Sequence, residues 1–323
     1  MILNDIISVL KKSGSIIILP HISVDGDGLG SSLALGIALE RANINVKIYI
    51  EEDIPCIYDF LPGKHLIEVY QNQVEKVDTV VALDTGDLGR LGQRVNFLNG
   101  TKTTINIDHH TTNSKFASLN FVQIKASSVG EIIYKMLKMM GTEIDESIST
   151  CLYVAIATDT GGFRFGNTTS LTHQITADLI NNGVNVADIS QKIFDTMSFG
   201  KVKLMGAAIG TLKIEEEGNI ALITITDEMM KATGAKEEDC DGIVNIGRNV
   251  RGVEVAIMLR QQENGEVKIN LRSNVKVDVS EIAGHYSGGG HKRAAGCIVK
   301  GEFVEVRQKL LEDIKRSLQA VNS

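Results

Sequence analysis

The sequence has no tryptophan, and aromatic residues make up only 5% of its 323 residues. A hydrophobic core must therefore be built mainly from aliphatic side chains. The four cysteines, Cys56, Cys151, Cys240 and Cys297, are widely separated and form no C-x-x-C pair. This spacing is not that of a disulfide framework, so we expect reduced thiols in a cytoplasmic protein.

Long apolar runs and excess positive charge are also missing. The apolar run at 16–19 is far shorter than the roughly 20 residues that a membrane-spanning helix needs, and no secretion signal precedes it, so we expect no membrane partner. With 33 Lys and Arg against 40 Asp and Glu, the formal net charge is −7. This argues against binding of long duplex nucleic acid through a generally basic surface.

The length predicts two domains, at roughly 100–200 residues each. The predicted fold class is α/β, with a mostly parallel sheet and helices on both faces in a first domain at 1–195. Short apolar runs alternating with helical patterns are typical of such a sheet. The predicted strands are 15–20, 46–50, 79–83 and 104–107. The predicted helices are 30–42, one capped by Ser128, 171–180 and 186–194, with a further apolar segment at 148–157.

The second half changes in character near residue 196. Residues 196–210 are predicted to connect the domains, with a helix at 201–212, and 211–323 to form a smaller α+β domain. Predicted strands at 253–259 and 267–271 are joined by Gln-Glu-Asn-Gly, a hairpin-like turn at 262–265. A strand at 220–225 and a last helix at 304–318 complete the prediction.

Acidic and histidine residues follow the predicted strands. In an open parallel sheet, ligands bind beyond the carboxyl ends of the strands, so these side chains should meet at one edge. Carboxylates clustered in a cleft repel each other by several kcal/mol unless they are neutralised, and two divalent cations would neutralise them. A mixture of imidazole and carboxylate suits Mn²⁺ better than Mg²⁺, while Zn²⁺ or Co²⁺ also fits. The residues are His21, Asp25, Asp27, Asp84, Asp108, His109, His110 and Asp159.

Other sites that use Asp-Gly-Asp-Gly segments fit less well. An EF-hand loop starting at Asp25 would need an acid or amide where Leu29 stands and Glu where Gly36 stands. Ser31 replaces the third glycine of a dinucleotide-binding motif, and no phosphate-binding G-x-x-x-x-G-K-[ST] occurs. An aspartyl-phosphate phosphatase carries a similar D-x-D after its first strand, but leaves His21 unexplained.

These segments together resemble the motifs of the DHH phosphoesterase superfamily. The matching segments are His21-x-x-x-Asp25-Gly-Asp27, the Asp84 segment, Asp108-His109-His110 and Asp159-Thr-Gly. The second domain resembles the DHH-associated domain in Leu271-Arg272-Ser273 and Gly288-Gly289-Gly290-His291. Within the superfamily, Asp159-Thr-Gly-Gly-Phe-Arg164-Phe-Gly-Asn167 and Ser127-Ser128-Val-Gly-Glu131 are similar to the type that degrades short oligoribonucleotides.

The resemblance implies a role for each motif residue. His21, Asp25 and Asp84 would hold one metal, and Asp27, Asp84, His109 and Asp159 the second, with Asp84 bridging. Asp84, Asp108 and His110 would form the catalytic group, His110 facing the substrate phosphate and Asp108 orienting a histidine. Substrate binding would add residues of the second domain to His110, namely Arg272, Ser273, Gly288, Gly289, Gly290 and His291.

The function implied is metal-dependent hydrolysis of short RNA oligonucleotides to mononucleotides, with removal of the 3′ phosphate from 3′-phosphoadenosine 5′-phosphate (pAp). Two enzymatic alternatives use the same metals: an inorganic pyrophosphatase or exopolyphosphatase, and a linear or cyclic dinucleotide phosphodiesterase. A nucleotide-sensing or RNA-binding module is the non-catalytic alternative. A homodimer is a further expectation, because symmetric dimers are common among such enzymes.

Overall fold

The computed structural model describes residues 2–73, 75–262 and 265–322. The chain divides into two compact units, Met1–Asp195 and Thr196–Ser323. Each has its own buried core of mainly aliphatic side chains. Among the described residues, no helix combines the length and apolar composition that crossing a bilayer requires.

The first unit is built on a parallel sheet. Within the described residues it has six strands in the order β3-β2-β1-β4-β5-β6, and every neighbouring pair is parallel. The central strands are apolar along their length because both faces of the sheet are covered. The strands are β1 (Ser15–Pro20), β2 (Asn45–Ile50), β3 (Ile67–Val69), β4 (Thr79–Leu83), β5 (Thr103–Asp108) and β6 (Leu119–Val122).

Helices cover the sheet unequally. One face packs against the α-helices, and the other against the 3₁₀ segment Leu88–Leu98 and the stacked rings of Tyr49 and Phe97. The predicted fold class, a parallel sheet flanked by helices, is confirmed. The α-helices are α1 (Ile2–Lys12), α2 (Gly26–Arg41), α3 (Val129–Met140), α4 (Glu146–Asp159), α5 (Ser170–Asn181) and α6 (Val186–Ser190), the last continued by a π-turn, Gln191–Asp195.

Two boundaries differ from the sequence prediction in ways that matter for the site. Helix α2 begins at Gly26 rather than residue 30, because the Asp25 side chain accepts hydrogen bonds from the N–H groups of Asp27 and Gly28 and caps the helix. The apolar segment at 148–157 lies within helix α4. The start of α2 and the end of α4 therefore lie at the edge of the sheet where β1, β4 and β5 terminate.

The second unit contains a mixed sheet of six strands in its described part, in the order β11-β12-β10-β9-β8-β7. Strands β8 and β9 are parallel, whereas the other neighbours are antiparallel. The elements are α7 (Phe199–Gly210), β7 (Lys213–Glu215), β8 (Ile220–Ile225), α8 (Asp227–Thr233), α9 (Val244–Arg248), β9 (Val255–Gln261), β10 (Glu266–Ser273), α10 (Val279–Gly284), β11 (Gly289–His291), β12 (Ala294–Lys300) and α11 (Phe303–Asn322).

Helix α7 lies within the second unit, although the sequence analysis treats 196–210 as a connection. The predicted turn between β9 and β10 is partly described. The N–H of Gln262 donates to the carbonyl of Glu266, and Gly265 has a φ of +76°. The two residues between them, 263 and 264, lie outside the described residues.

Candidate metal centre

Five elements bring carboxylates and imidazoles to one edge of the parallel sheet. His21 follows β1, Asp84 follows β4, and His109 follows β5. The capping residue and first turn of α2 supply Asp25 and Asp27, and the last residue of α4 supplies Asp159. Three overlapping groups have ligand atoms within 4.8 Å of one another: His21, Asp25 and Asp84; Asp27, His109 and Asp159; and Asp84, His109 and His110.

The first group is organised around the buried ring of His21. Its Nδ1 lies 2.7 Å from the carbonyl oxygen of Ile22, which can only accept, so this contact favours a proton on Nδ1. Nε2 then offers a lone pair, 3.4 Å from Asp25 Oδ1 and 3.6 Å from Asp84 Oδ2. An Arg90 Nη2 lies 2.9 Å from the same Nδ1. Because a guanidinium only donates, that contact requires the opposite tautomer, which would cover the metal-binding nitrogen with a proton.

The second group is organised around His109. Its Nδ1 lies 3.3 Å from the carbonyl oxygen of Ala126, which favours a proton on Nδ1. Nε2 is 3.6 Å from Asp84 Oδ1 and 3.7 Å from Asp159 Oδ2. Asp84 thus presents one oxygen to each histidine, the arrangement expected of a carboxylate shared by two ions.

Asp27 is held firmly before any ligand binds. Its carboxylate accepts hydrogen bonds from the N–H groups of Val129, at 2.6 Å, and Gly130, at 2.9 Å, at the start of helix α3. The hydroxyl of Ser31 donates to it at 3.0 Å. A carboxylate at a helix N-terminus is also stabilised by the helix dipole, so α3 fixes the position of this oxygen donor.

The third group is the least suited to a cation. The Nδ1 of His110 lies 2.7 Å from Asp108 Oδ1 and 3.6 Å from Asp84 Oδ1. The short contact to Asp108 places a proton on Nδ1, which therefore has no lone pair for a metal. The Asp108 carboxylate thus lies in hydrogen-bonding contact with the His110 ring, and its role in orienting that ring stays a prediction.

The charges of the site are poorly balanced by protein groups. Burial, followed by the negative charge of Asp27, raises the pKa of Asp84 well above its usual range. The same two causes raise the pKa of Asp159 to about 8. Although burial opposes it, the charges of Asp159 and Asp27 raise the pKa of His109. The site therefore favours added positive charge, from protons or from a bound cation.

Asp84 also provides a direct test of whether a cation fits. Its Oδ1 is buried and has no hydrogen-bond partner in the described structure, and its backbone has a φ of +54°. Both features are unfavourable for a non-glycine residue in a metal-free protein. A divalent cation at Oδ1 would satisfy the orphaned oxygen, and the surrounding set of imidazole and carboxylate donors suits Mn²⁺, Co²⁺ or Zn²⁺.

Close packing of α2 on α4 brings Asp27 near Asp159. A Cβ atom at Gly30 would lie 2.4 Å from the Cys151 carbonyl oxygen, and one at Gly26 would lie 2.5 Å from the side chain of Thr158. Only glycine permits this approach of the two helices. Gly26 and Gly30 thus help build the site without touching a ligand.

Supporting residues that sequence reasoning did not single out surround these side chains. The Asn167 Nδ2 donates to Asp159 Oδ2 at 3.3 Å and to the carbonyl of Ser127 at 2.8 Å. The Asn113 Nδ2 donates to Asp108 Oδ2 at 2.5 Å. Burial alone would raise the pKa of Asp108, but its hydrogen bonds, first that to His110, lower it to about 2. Asn167 lies within the Asp159 motif of the sequence analysis, whereas no sequence motif pointed to Asn113.

The predicted substrate residues of the second unit differ in their surroundings: Arg272 and His291 share a row on the sheet, whereas Ser273 is buried. Arg272 on β10 and His291 on β11 both pair with Ala294 on β12, so their side chains share one row on one face of the sheet. Arg272 is half-buried, and its Nη1 donates to the Leu271 carbonyl at 3.1 Å. Ser273 is buried, and its hydroxyl donates to the Val277 carbonyl at 2.7 Å, which is a structural contact.

The three successive glycines serve strand packing at two of their positions. Cβ atoms at Gly288 and Gly290 would lie 2.3 and 2.4 Å from backbone oxygens of Gly296 and Ala294 on the adjacent strand. At Gly289 nothing lies within 4 Å of the Cβ position. The backbone at Gly288 and Gly290 therefore lies close to β12, and only Gly289 is open at its Cβ position, while the role of all three glycines in substrate binding stays a prediction.

A buried carboxylate holds the loop that follows Arg272 and Ser273. Glu254 Oε1 accepts hydrogen bonds from the N–H groups of Val275 at 3.1 Å and Val277 at 2.9 Å. From the other side, the Arg293 guanidinium donates to the carbonyls of the same two residues. Glu254 and Arg293 together fix the backbone of the loop. Their shared role cannot be recognised from the sequence, because only the tertiary structure brings them to the same loop.

Comparisons with known proteins agree with this geometry. Residues 15–156 match the family model described as "DHH family, N-terminal domain", and residues 217–320 match the "DHHA1 domain". The first match contains His21, Asp25, Asp27, Asp84 and His109 of the clustered candidates. Asp159 lies just beyond it.

Relatives match nearly the whole chain. A protein of Thermus thermophilus, "Bifunctional oligoribonuclease and PAP phosphatase NrnA", is 34% identical over 96% of this chain and 92% of its own length. A Bacillus subtilis protein of the same name is 24% identical over 92% of this chain and 93% of its own. The crystal structure of "an exopolyphosphatase-related protein" from Bacteroides fragilis superposes with a TM-score of 0.92 at 27% identity, covering 98% of this chain and 97% of that one. The chain therefore belongs to the DHH phosphoesterase family, with a DHHA1 domain following its DHH domain.

Proposed function

We propose that this chain is a metal-dependent phosphoesterase that hydrolyses short RNA oligonucleotides to mononucleotides and removes the 3′ phosphate of pAp. The proposal is supported by the names of the relatives that match nearly its full length. The observation that carries it is the position of the Asp84 carboxylate between two histidines. Its Oδ2 lies 3.6 Å from His21 Nε2, and its Oδ1 lies 3.6 Å from His109 Nε2. Such a site suits phosphate ester hydrolysis with two cations.

The residues would divide between two divalent cations. His21, Asp25 and Asp84 would hold one, and Asp27, His109 and Asp159 the other, with Asp84 shared. When bound, such ions polarise a phosphoryl oxygen and lower the pKa of water. Mn²⁺ is our proposed physiological metal, because the donor set combines two imidazoles with four carboxylates.

His110 would contact the substrate phosphate directly, and Asp108 would act on it through His110. The buried Asp108 carboxylate, 2.7 Å from His110 Nδ1, accepts a hydrogen bond from the ring and fixes its orientation. A protonated ring can donate a hydrogen bond to an anionic phosphoryl oxygen and offset the charge that develops there. Asp108 would thus act as a positioning residue and His110 as the catalytic one.

The substrate would be short and the location cytoplasmic. A net charge of −7 opposes association with long duplex nucleic acid through general electrostatics. In the second unit, Arg272 and His291 in one row of the sheet would provide charge-assisted hydrogen bonds to a substrate phosphate. All four cysteines are free thiols, as expected in a reducing compartment.

Parallel assays of one preparation test this function. We expect Mn²⁺-dependent release of AMP from both an adenosine RNA dinucleotide and pAp, and its loss in EDTA and in Asp84→Asn. Pyrophosphate and a short polyphosphate are assayed beside them, because the similar Bacteroides fragilis protein carries an exopolyphosphatase-related title. Dominant release of phosphate from either of these two compounds would overturn the proposal.

A further inference from the structure

The loop at 160–167, which begins directly after Asp159, has two side chains that the proposed function leaves unused. Arg164 and Phe165 are both exposed. The loop connects α4 to α5, and its Asn167 returns to hydrogen-bond the Asp159 carboxylate at 3.3 Å. Both ends of the loop are thus tied to the candidate metal centre, and the exposed pair lies between them.

The exposure of Phe165 is unusual in this chain. Of all the phenylalanine and tyrosine side chains in the described residues, those of Phe165 and Phe199 alone are exposed, at 45% and 73%. Phe199 lies in the second unit, where the Lys203 amine sits 4.5 Å from its ring centre. Leaving an aromatic ring in water forgoes the free energy of its burial, so an exposed ring on a loop whose two ends contact the candidate metal centre points to a stacking partner from outside the chain.

Backbone geometry holds the loop in one conformation. The N–H groups of Arg164 and Phe165 donate to the Thr160 carbonyl at 2.9 and 3.0 Å. Three successive residues, Gly161, Gly162 and Phe163, have φ between +58° and +69°. The Phe163 ring is stacked at 5.5 Å on His173 of helix α5. The exposed side chains therefore project from a preorganised turn, which lowers the entropy lost on binding a ligand.

The Phe165 ring is fixed on one side. A Cβ atom at Gly161 would lie 2.3 to 2.6 Å from three atoms of that ring, so the ring rests directly on the glycine backbone. Only a glycine at 161 leaves room for the ring in this position. The close atoms are Cζ, Cε1 and Cε2, so the end of the ring is held at Gly161 and the exposed remainder can accept a planar group.

Arg164 is oriented by its own loop. Its Nε donates to the Gly161 carbonyl at 2.6 Å. The same residue, Gly161, therefore positions both the guanidinium and the aromatic ring. The terminal NH₂ groups of Arg164 have no hydrogen-bond partner among the described residues, and a guanidinium is suited to bind phosphate oxygens with two parallel hydrogen bonds.

We infer that Arg164 and Phe165 form a nucleotide-binding platform, in which the Phe165 ring stacks on a nucleobase and Arg164 binds a phosphate of the same substrate. This inference rests on the proposed function and deepens it, because it assigns recognition of the base to the first unit. A ring that stacks on bases is tolerant of their identity, so the platform would accept any of the four.

Kinetics on paired substrates test the platform. KM is measured with Mn²⁺ for an adenosine RNA dinucleotide and for abasic analogues of it, each lacking one of the two bases. Phe165→Leu should raise KM for the dinucleotide about tenfold and leave KM for one of the abasic analogues unchanged. Phe165→Trp should restore the wild-type KM. Phe199→Leu, the matched change at the other exposed phenylalanine, should leave KM unchanged for the dinucleotide and for the abasic analogues.

Arg164 is tested separately, because phosphate binding does not require a base. Arg164→Gln should raise KM for the dinucleotide and both abasic analogues by a similar factor, with Arg164→Lys intermediate. Unchanged KM in Phe165→Leu and Arg164→Gln, or an equal rise for every substrate in Phe165→Leu, would overturn the platform.

A readout without turnover separates this inference from the proposed function. In an Asp84→Asn background, titration with a dinucleotide containing 2-aminopurine should quench its fluorescence, and Phe165→Leu should weaken that quenching. If wild-type enzyme hydrolyses neither dinucleotide nor pAp while this quenching depends on Phe165, the proposed function fails and the platform stands. Quenching that is insensitive to Phe165 refutes the platform whatever the activity.

Discussion

At the scale of single residues, Asp84 combines three features that are unfavourable for a metal-free protein. Its φ of +54° is rare outside glycine and costs roughly 1–3 kcal/mol. Its carboxylate is buried, with one oxygen unsatisfied. Burial and the charge of Asp27 raise the pKa of Asp84, which reflects the cost of keeping it ionised. Such costs at one position indicate selection for function rather than stability.

Asp84→Asn should therefore make the metal-free protein more stable and the enzyme inactive. Asparagine tolerates positive φ and removes the buried charge, so we expect a gain of roughly 1–3 kcal/mol in EDTA. The rise in melting temperature that Mn²⁺ produces in the wild type should disappear. Thermal unfolding by circular dichroism, with and without Mn²⁺, measures both effects.

Asp53→Asn is the matched control, because it removes the same charge from an exposed residue of the first unit. It should leave the melting temperature and its response to Mn²⁺ unchanged. A destabilised Asp84→Asn that still responds to Mn²⁺ would contradict the assignment of Asp84 as a shared ligand.

Asp108 is expected to act through His110. Asp108→Asn keeps a hydrogen-bond acceptor 2.7 Å from the imidazole but removes the negative charge beside it. We expect kcat on pAp to fall by about 10- to 100-fold while the affinity for Mn²⁺ changes little. Steady-state kinetics and a Mn²⁺ titration distinguish this result from a general structural defect, which would lower both kcat and the affinity for Mn²⁺.

At the scale of elements, the strands that the sequence predicts are those buried on both faces. Strands β1 and β4 are nearly continuous apolar runs, and β5 has buried Ile105 and Ile107, so their type could be inferred without tertiary information. The short edge strands β3 and β6 carry few such residues and were missed. Residues 148–157 are apolar on every side, so neither a helical nor a strand period is visible, and tertiary packing decides that they are helical.

The metal-ligand candidates were accessible to sequence reasoning because each lies at the end of an element whose position is fixed by the sheet. His21, Asp84 and His109 follow strands, and parallel strands deliver their carboxyl ends to one edge. The hydrogen bonds of Asn167 and Arg293 were not accessible from the sequence, since their partners are reached through loops. At Gly288 and Gly290 the structure shows close backbone packing that only strand pairing reveals, and their role in substrate binding stays a prediction.

The contact between α2 and α4 gives a prediction for a residue with no chemical role. Gly30→Ala places a methyl group 2.4 Å from the Cys151 carbonyl, and a backbone atom cannot yield cheaply. We expect the free energy of unfolding to fall by about 1–3 kcal/mol, because the methyl group forces α2 and α4 apart. Mn²⁺ binding should also weaken, since α2 carries Asp27 and α4 carries Asp159. Urea unfolding and Mn²⁺ titration measure the two effects.

Gly206→Ala on helix α7 is the comparison for this change, since nothing lies within 4 Å of its Cβ position. It should stabilise the protein by about 0.5–1 kcal/mol, the normal preference for alanine within a helix. Equal effects of the two substitutions would show that close packing at Gly30 is unimportant.

At the scale of the whole molecule, the two units have separate cores. The first buries aliphatic residues on both faces of the parallel sheet, and the second on both faces of its mixed sheet. The clustered metal-ligand candidates all belong to the first unit. A ligand that binds only the folded form of one unit stabilises that unit by mass action, about 2.7 kcal/mol at a hundred times its dissociation constant.

Calorimetric unfolding of the full chain should therefore contain two components, of which Mn²⁺ moves one. In EDTA we expect the component of the first unit to melt at a lower temperature than with saturating Mn²⁺, while the other component stays in place. Asp84→Asn identifies the first unit, because it should raise that component in EDTA and abolish its response to Mn²⁺. Gly206→Ala identifies the second unit by raising the component that Mn²⁺ leaves unmoved. If Mn²⁺ shifts both components equally, unfolding of the two units is coupled, and metal binding at the first unit stabilises the second as well.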